Sequence, residues 1–403
     1  MKRFKYIFRV ITTVILLNLT ASGASAQSID YDSIEVSLLT CSPGQEVWAQ
    51  YGHTALRWHD LNPEHCIDVV VNYGVFSSSQ PYFIPRFIFG LTDYCVGALP
   101  YDEFYKEYSY EGRGIVEQVL NLTTDDKKAI QDALNINLRP ENQTYRYNFF
   151  YDNCTSRARD MIVDHLHGKV KYADKADAKV SYRDMIHRWT GDYPWCQFGE
   201  DLLLGVNADM ATTRAQQQFL PDNLRDDFEK ATYNGKPFVK ETKTLLEPEN
   251  LVDYQVFISP FTLFFFVFVI SYLIVIYEYN KKKILWGWDA LMMIAAGLPG
   301  IVLTIMVFSQ HPCVSLNLLI LFGNPIPLFM LWRATKRTRR HEHDIWWKVW
   351  LVMIILGFLG GFIQHYPTPI LFMALSLLSR PLVHIYIWNV PASIRHNRII
   401  KEE

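Results

Sequence analysis

Tyr147-Asn148-Phe149-Phe150-Tyr151-Asp152-Asn153-Cys154-Thr155-Ser156-Arg157-Ala158-Arg159-Asp160-Met161 changes character in its middle. The aromatic run at its start has strand composition. Asp152-Asn153 interrupts that run, and Ala158, Met161, Ile162 and His165 then recur at helical spacing. The pattern predicts a strand that stops at Asp152-Asn153 and a helix that opens at Cys154. A cysteine in that position meets unpaired backbone N–H groups and the positive end of the helix dipole. Both favour the thiolate. The same N–H groups are placed to stabilise an oxyanion on an acyl group. A thiol nucleophile still needs a base, and this segment does not supply one.

The base is sought upstream. Ser42-Pro43-Gly44-Gln45-Glu46-Val47-Trp48-Ala49-Gln50-Tyr51-Gly52-His53-Thr54-Ala55-Leu56-Arg57 reads as a short helix or turn entering a strand, with His53 and Ala55 on one face. After a loop containing Asn62-Pro63, the run Ile67–Gly74 reads as a second strand. A hairpin centred on that loop brings Asn72 near the level of His53. An amide there can fix the imidazole tautomer. Asp68 is the rival third member, with a salt bridge to Arg57 as its other reading.

Each of these residues also has a plainer reading. A cysteine among aromatics is usually a small buried hydrophobe or a disulfide half, and a lone strand histidine is usually a structural donor. The thiol-enzyme reading rests on the conjunction: Cys154 opens a helix, between Asp-Asn and Thr-Ser-Arg, and a Gly-His-Thr strand start offers the imidazole. His59, His65 and Cys66 share a loop but lack the spacing of a structural zinc site. The chemistry requires neither a metal nor an organic cofactor.

The rest of the chain sets the compartment. It has 403 residues, 50% of them hydrophobic and 20% charged. That apolar content excludes a disordered chain. Thirty-nine Lys and Arg against 41 Asp and Glu leave no basic excess for nucleic acid. Mean hydropathy is +0.01, an average of two unlike parts. Residues 1–26 read as a signal peptide: Lys2, Arg3, Lys5 and Arg9, an apolar core from Val10 to Leu19, and Ala24-Ser25-Ala26 before Gln27. Residues 27–253 are mixed and hold no run long enough to cross a bilayer. From 254 to 403 the chain reads as an all-α membrane domain of five spans, about Val256–Tyr277, Trp286–Phe308, Ser315–Trp332, Ile345–Gln364 and Pro369–Trp388.

Basic residues orient those spans. Lys281–Lys283, the Arg333–Arg340 cluster and the Arg395–Lys401 tail fall in alternate connections, whereas the connections around Gln310–Asn317 and Gln364–Pro369 hold no Lys or Arg. The positive-inside rule makes the basic connections cytoplasmic. The C-terminus is then inside and residues 27–253 outside, in agreement with the export signal. Cys41, Cys66, Cys95, Cys154, Cys196 and Cys313 all fall on the exported face, where disulfides are permitted. The connectivity stays open. Trp286, Trp288, Trp346, Trp347 and Trp350 read as interfacial belts. The aromatic stretch Gln80–Gly90 reads as core packing, with insertion into the membrane interface as its alternative. Arg380, in the middle of the last span, either binds a phosphate or pairs with an internal acid.

The order His-first, Cys-later resembles the permuted papain-like, NlpC/LRAT-type thiol folds. Tyr51–Arg57, Asn72-Tyr73-Gly74 and Asn153-Cys154-Thr155 resemble the exported domain of the Lnb-type lipoprotein N-acyltransferases of Bacteroidota. Phe219-Leu220-Pro221, His311-Pro312, Asn317-Leu318-Leu319 and Asn324-Pro325 extend the likeness into the membrane half. The resemblance implies an α+β permuted papain-like exported domain followed by a five-helix polytopic membrane domain. It implies a multi-pass protein of the bacterial inner (cytoplasmic) membrane with its catalytic domain facing the periplasm. It implies Cys154, His53 and Asn72 as the catalytic set. Tyr51, Tyr73, Asn153, Arg157, His311, Asn317, Asn324 and Arg380 are the residues expected to meet substrate. The implied partners are a phospholipid acyl donor, a diacylglyceryl lipoprotein acceptor and the bilayer itself. A cell-envelope cysteine amidase or peptidase, and a non-catalytic lipid-binding membrane module, stay open as alternatives.

Overall fold

The computed structural model describes residues 30–76, 81–173, 177–249 and 256–389. The signal segment, the Asp253 junction and the basic tail lie outside them. The chain divides into two compact units, residues 1–189 with 211–253 and residues 190–210 with 254–403.

The first unit is α+β. Its elements run β1 (Ile34–Cys41), β2 (His53–Asp60), β3 (Asp68–Val75), α1 (Phe83–Ile88), β4 (Asp93–Pro100), α2 (Tyr101–Tyr110), β5 (Ile115–Leu120), α3 (Thr124–Asn137), β6 (Thr144–Arg146), α4 (Cys154–Val163) and α5 (Tyr182–Thr190). Seven strands pair antiparallel in the order β6-β4-β3-β2-β1-β5-β7, where β7 is Val239–Leu246.

Both faces of this sheet are covered, so its central strands are apolar on both sides. Leu38, Leu56, Val71 and Tyr73 meet Ala158 and Ile162 of α4 in one core. Leu39, Cys41, Ala55 and Val70 meet Phe104 and Tyr108 of α2 in the other. Ala158 and Ile162 are one helical turn apart, which presents both to the sheet. The strand expected over Tyr147–Tyr151 is absent: β6 ends at Arg146 and the aromatic residues form a turn. Those rings pack together instead of pairing as a ladder. Phe149 and Phe150 both lie against Phe219, and Phe150 also lies against Tyr182.

The second unit is helical: α6 (Pro194–Leu203), then α9 (Pro260–Lys281), α10 (Trp286–Met306), α11 (Pro312–Ser315), α12 (Ile326–Arg339), α13 (Trp346–Gly360) and α14 (Thr368–Asn389). In chain order α6 is followed by α7 (Arg214–Gln217) and α8 (Pro221–Lys230), which belong to the first unit. Four stretches are long and apolar enough to cross a membrane, Pro260–Lys281, Trp286–Met306, Pro312–Arg339 and Thr368–Tyr386. The fifth, α13, has 15 residues. At 1.5 Å per residue it covers about 22 Å, less than the roughly 30 Å hydrocarbon core.

The third span is broken. A 3-10 turn over Leu318–Leu321 separates α11 from α12. Asn317 caps that turn, and Asn324 accepts from the Ile326 N–H at the start of α12. Residues 190–210 pack with the helices: Gly205 and Val206 N–H groups donate to Cys313 and Leu316 carbonyls. The tryptophan belt holds only in part. Trp346, Trp347 and Trp350 are buried among helices, because α13 turns that face inward.

Candidate active site

Strand register places the imidazole. His53 opens β2 opposite Cys41 of β1. Gly52 before it has φ +76, and a Cβ there would lie 2.6 Å from the Cys41 carbonyl oxygen. Only glycine allows that close entry. Across β2 and β3, Ala55 faces Asn72. His53, two residues from Ala55, therefore shares a face with Asn72 as its diagonal neighbour. The ring Nε2–H donates to Asn72 Oδ1 at 2.5 Å. An amide oxygen only accepts, so the proton sits on Nε2 and Nδ1 is left for the thiol.

Helix α4 places the sulfur. Asn153 is its N-cap: Asn153 Oδ1 accepts from the Ser156 N–H and Ser156 Oγ accepts from the Asn153 N–H, both at 2.9 Å. The Asn153 amide also donates to the Phe219 carbonyl at 2.8 Å. Thr155 and Thr54 hydroxyls bond at 3.0 Å in the buried interior, tying the first turn of α4 to β2. Gly74, with φ +83, lies under the sulfur residue, and a Cβ there would stand 3.6 Å from the Cys154 Cβ. Cys154 is thus the first residue of its helix and half-buried at the end of the sheet.

Electrostatics couple the two groups. Burial pushes the Cys154 thiol up. The His53 charge and hydrogen bond, the Thr54 backbone N–H and the Thr155 hydroxyl outweigh it and hold the thiol at about 7. Burial opposes a charged His53, yet the Cys154 thiolate and its hydrogen bond raise the imidazole above its ordinary value. The two titrate as one thiolate–imidazolium pair. The N–H groups of Cys154 and Thr155 have no hydrogen-bond partner among the described residues. Those of Ser156 and Arg157 are taken by Asn153. Two donors therefore stand free at the helix start, beside the sulfur.

Asp68 lies elsewhere. It holds Arg57 in a two-bond fork at 2.8 and 2.6 Å. The same guanidinium reaches Glu117 at 3.0 Å and covers the Tyr101 ring at 3.6 Å. Other residues expected at the substrate are engaged in packing or capping. Tyr51 packs on Phe149. The Tyr73 hydroxyl donates to Asn137. Arg157 pairs with Asp152 and stacks on Tyr145. Thr54 and Thr155 were not singled out by the sequence; their only signal was adjacency to His53 and Cys154.

In the helical unit, Asn317 accepts from the Leu319 N–H and the Gln364 amide and donates to the Leu202 carbonyl. Asn324 donates to the Ile320 carbonyl. The His311 carbonyl accepts from the Val314 N–H in the α11 turn. Arg380 is fully buried. Glu278 takes two of its N–H groups at 2.9 and 2.8 Å, and Asp289 takes Nε at 2.7 Å. His384 donates to the other Asp289 oxygen at 2.9 Å.

Neither the curated proteins nor the solved structures contain a match to the chain. Two family models do match. The Lnb N-terminal periplasmic domain matches residues 22–188, and the Lnb transmembrane domain matches residues 253–390. The first match includes His53, Asn72 and Cys154, and the second includes the four stretches long and apolar enough to cross a membrane. The chain belongs to the Lnb family: a multi-pass membrane protein with a periplasm-facing domain, in a family of membrane lipoprotein processing.

Proposed function

We propose that the protein is an apolipoprotein N-acyltransferase that works through a Cys154 thioester. The observation that carries this reading is the hydrogen-bonded series Asn72–His53–Cys154, with the thiol held at about 7 at a helix start. A nucleophile poised near neutrality suits acyl transfer to an amine, since the thiol must also leave in the second step.

His53 takes the Cys154 proton, and the thiolate attacks the ester carbonyl of a phospholipid. A C–S bond forms, and the oxyanion lies against the Cys154 and Thr155 N–H groups. Collapse breaks the C–O bond, and the His53 imidazolium protonates the departing lysophospholipid. The α-amine of a diacylglyceryl-cysteine then attacks the thioester. His53 accepts the amine proton, the C–N bond forms, and the C–S bond breaks to restore the thiol. Asn72 holds the imidazole ring for both transfers. A bilayer domain suits two lipid substrates, because it confines both to one plane.

The test uses the full-length protein in nanodiscs with phosphatidylethanolamine and a synthetic diacylated lipopeptide. Mass spectrometry is expected to show one added acyl chain on the peptide, one lysophospholipid per turnover, and an acyl adduct on Cys154 when the peptide is omitted. Peptide-bond cleavage without acyl gain would overturn the proposal in favour of an amidase.

A further inference from the structure

A row of aromatic rings leads from Cys154 to the surface of the sheet unit. Cys154, Tyr147 and Phe76 pack around the same core. Tyr147 meets Tyr94 at 4.1 Å between centroids, and Tyr94 meets Phe76 at 4.9 Å. Phe76 stacks on Phe83 of α1 at 5.8 Å and meets Trp48 edge-on at 6.4 Å. The row then opens: Trp48 is 69% exposed, Tyr82 80% and Phe87 51%. Trp48 and Phe87 are joined through Phe76 and Phe83, and Tyr82 adjoins Phe83 in the chain; large rings grouped at the surface in this way mark an interaction site rather than scattered exposure.

A charge imbalance stands beside them. Arg86, on the same face of α1 as Phe83 by its three-residue spacing, reaches Asp93 at 2.5 Å. Arg146 reaches the other oxygen of Asp93 at 3.0 Å. Two guanidiniums share the Asp93 carboxylate, so these three side chains together carry one net positive charge, and Arg86 also donates to the Leu91 carbonyl. Arg146 is bound there through Nε, and the terminal nitrogens of its half-exposed guanidinium have no partner among the described residues.

We infer that this surface docks the phospholipid acyl donor, its phosphate at Arg86–Arg146 and its acyl chain along the Phe83–Phe76 row toward the thiol. This rests on the acyltransferase reading above. Charge selects the occupant. The donor carries a phosphate anion, whereas the diacylglyceryl acceptor has no phosphate and presents a positively charged amine. The guanidiniums attract the first and repel the second. Arg also suits a phosphate because its fork offers paired N–H donors. Aromatic rings with one polar edge are suited to the depth of lipid head groups.

Two arms test this on the full-length protein. The first follows acyl-enzyme formation with dioleoylphosphatidylglycerol in Tyr82→Ser/Phe87→Ser and in Arg146→Gln. The apparent KM for the phospholipid is expected to rise about tenfold in the double variant and about threefold to tenfold in Arg146→Gln. The KM for lipopeptide and the rate of Cys154 alkylation by iodoacetamide stay at wild-type values, which excludes misfolding. An unchanged phospholipid KM in both variants overturns the inference. So does a rise in the lipopeptide KM instead, which would assign the surface to the acceptor.

The second arm uses Cys154→Ala, which removes the chemistry, with a diazirine-bearing phosphatidylglycerol. Crosslinks are expected on peptides containing Trp48, Tyr82 or Phe87 and are reduced by Arg146→Gln. Crosslinks there with no acyl transfer by the wild type would sink the acyltransferase reading and leave the docking surface standing. Acyl transfer with no crosslinks there would do the reverse.

Discussion

The thiol site of the sheet unit and the arginine cluster of the helical unit are both polar groups set into apolar surroundings. They differ in what is left over. Around Arg380, Nε, Nη1 and Nη2 all donate, both Glu278 oxygens and both Asp289 oxygens accept, and the Leu285 N–H adds a further bond to Glu278. The Arg380 guanidinium and both carboxylates are paired with one another, although the buried His384 Nδ1 has no hydrogen-bond partner among the described residues, and the cluster ties α9, α10 and α14 together. Around Cys154 the pairing is incomplete. The imidazole is fixed on its far side by Asn72, but its near side faces a sulfur, and two helix-start N–H groups have no partner among the described residues. A cluster whose opposite charges are paired is built to hold a fold; one with open backbone donors beside a thiol has room for a substrate atom. On the sequence alone Cys154 reads as catalytic, whereas the functional and structural readings of Arg380 stand level, because a charge in a span looks functional by default.

The comparison breaks first at Cys154. Cys154→Ala is expected to lower acyl transfer at least about a thousandfold while leaving thermal stability within about 1 kcal/mol of wild type. A melting curve and the acyl-gain assay check both halves. The wild-type thiol supplies a pH signature as well. Alkylation by iodoacetamide should rise as pH passes through about 7, where the thiolate forms, and be slow below it. In His53→Ala the imidazolium is gone, so the inflection moves up toward that of an ordinary thiol.

The opposite pattern is expected at the arginine cluster. Glu278→Ala leaves a buried guanidinium facing half its former partners. Removing one member of a buried pair typically costs about 3–5 kcal/mol. The prediction is a large loss of folded protein in detergent, with the surviving fraction alkylated at Cys154 at the wild-type rate. If Glu278→Ala instead leaves stability intact and abolishes transfer, the cluster is a lipid site and the contrast drawn above fails.

The unequal legibility of these two sites has a physical cause. Helix opening, strand entry and hairpin register are local, so His53, Asn72 and Cys154 were readable from spacing within short windows. The apolar spans were readable because about 20 apolar residues are a local pattern too. What failed was tertiary. Glu278 and Asp289 lie 102 and 91 residues from Arg380 and sit near the ends of their helices, where acids ordinarily face water. No window joins them. The turn over Tyr147–Tyr151 was misread because aromatic rings that pack on Phe219 have the same composition as aromatic rings in a ladder. The inward face of Trp346, Trp347 and Trp350 was hidden for the same reason: a tryptophan does not state whether lipid or helix covers it.

Asn72 tests how much of the thiol site depends on orientation. Its amide oxygen bonds the imidazole, so Asn72→Ala should leave the sulfur in place and free the ring. Acyl transfer is expected to fall about ten- to a hundredfold through kcat. The phospholipid KM is expected to stay unchanged, and the alkylation inflection should move upward as His53 loses a bond that favours its charged form. Asn72→Gln keeps the amide but not its reach, and should recover little.

Asp68 gives the smallest expected effect and the sharpest contrast with Asn72. It lies four residues earlier on the same strand, and on sequence alone it competes for the same role. Its carboxylate is bound in a fork to Arg57, which Glu117 and the Tyr101 ring also hold. Asp68→Asn keeps the shape and removes one charge, while Glu117 still faces the guanidinium. With Asp68 about a third exposed, solvent already screens much of the pair, so the loss of stability should be about 1 kcal/mol or less. Acyl transfer should stay within about twofold of wild type, and the Cys154 alkylation profile should not move. A kcat drop in Asp68→Asn that equals the Asn72→Ala drop would mean that the histidine is oriented through the Arg57 network. The Arg57 network and the thiol site would then be one device within the sheet unit, and the division between holding groups and reacting groups would have to be drawn somewhere other than at Asn72.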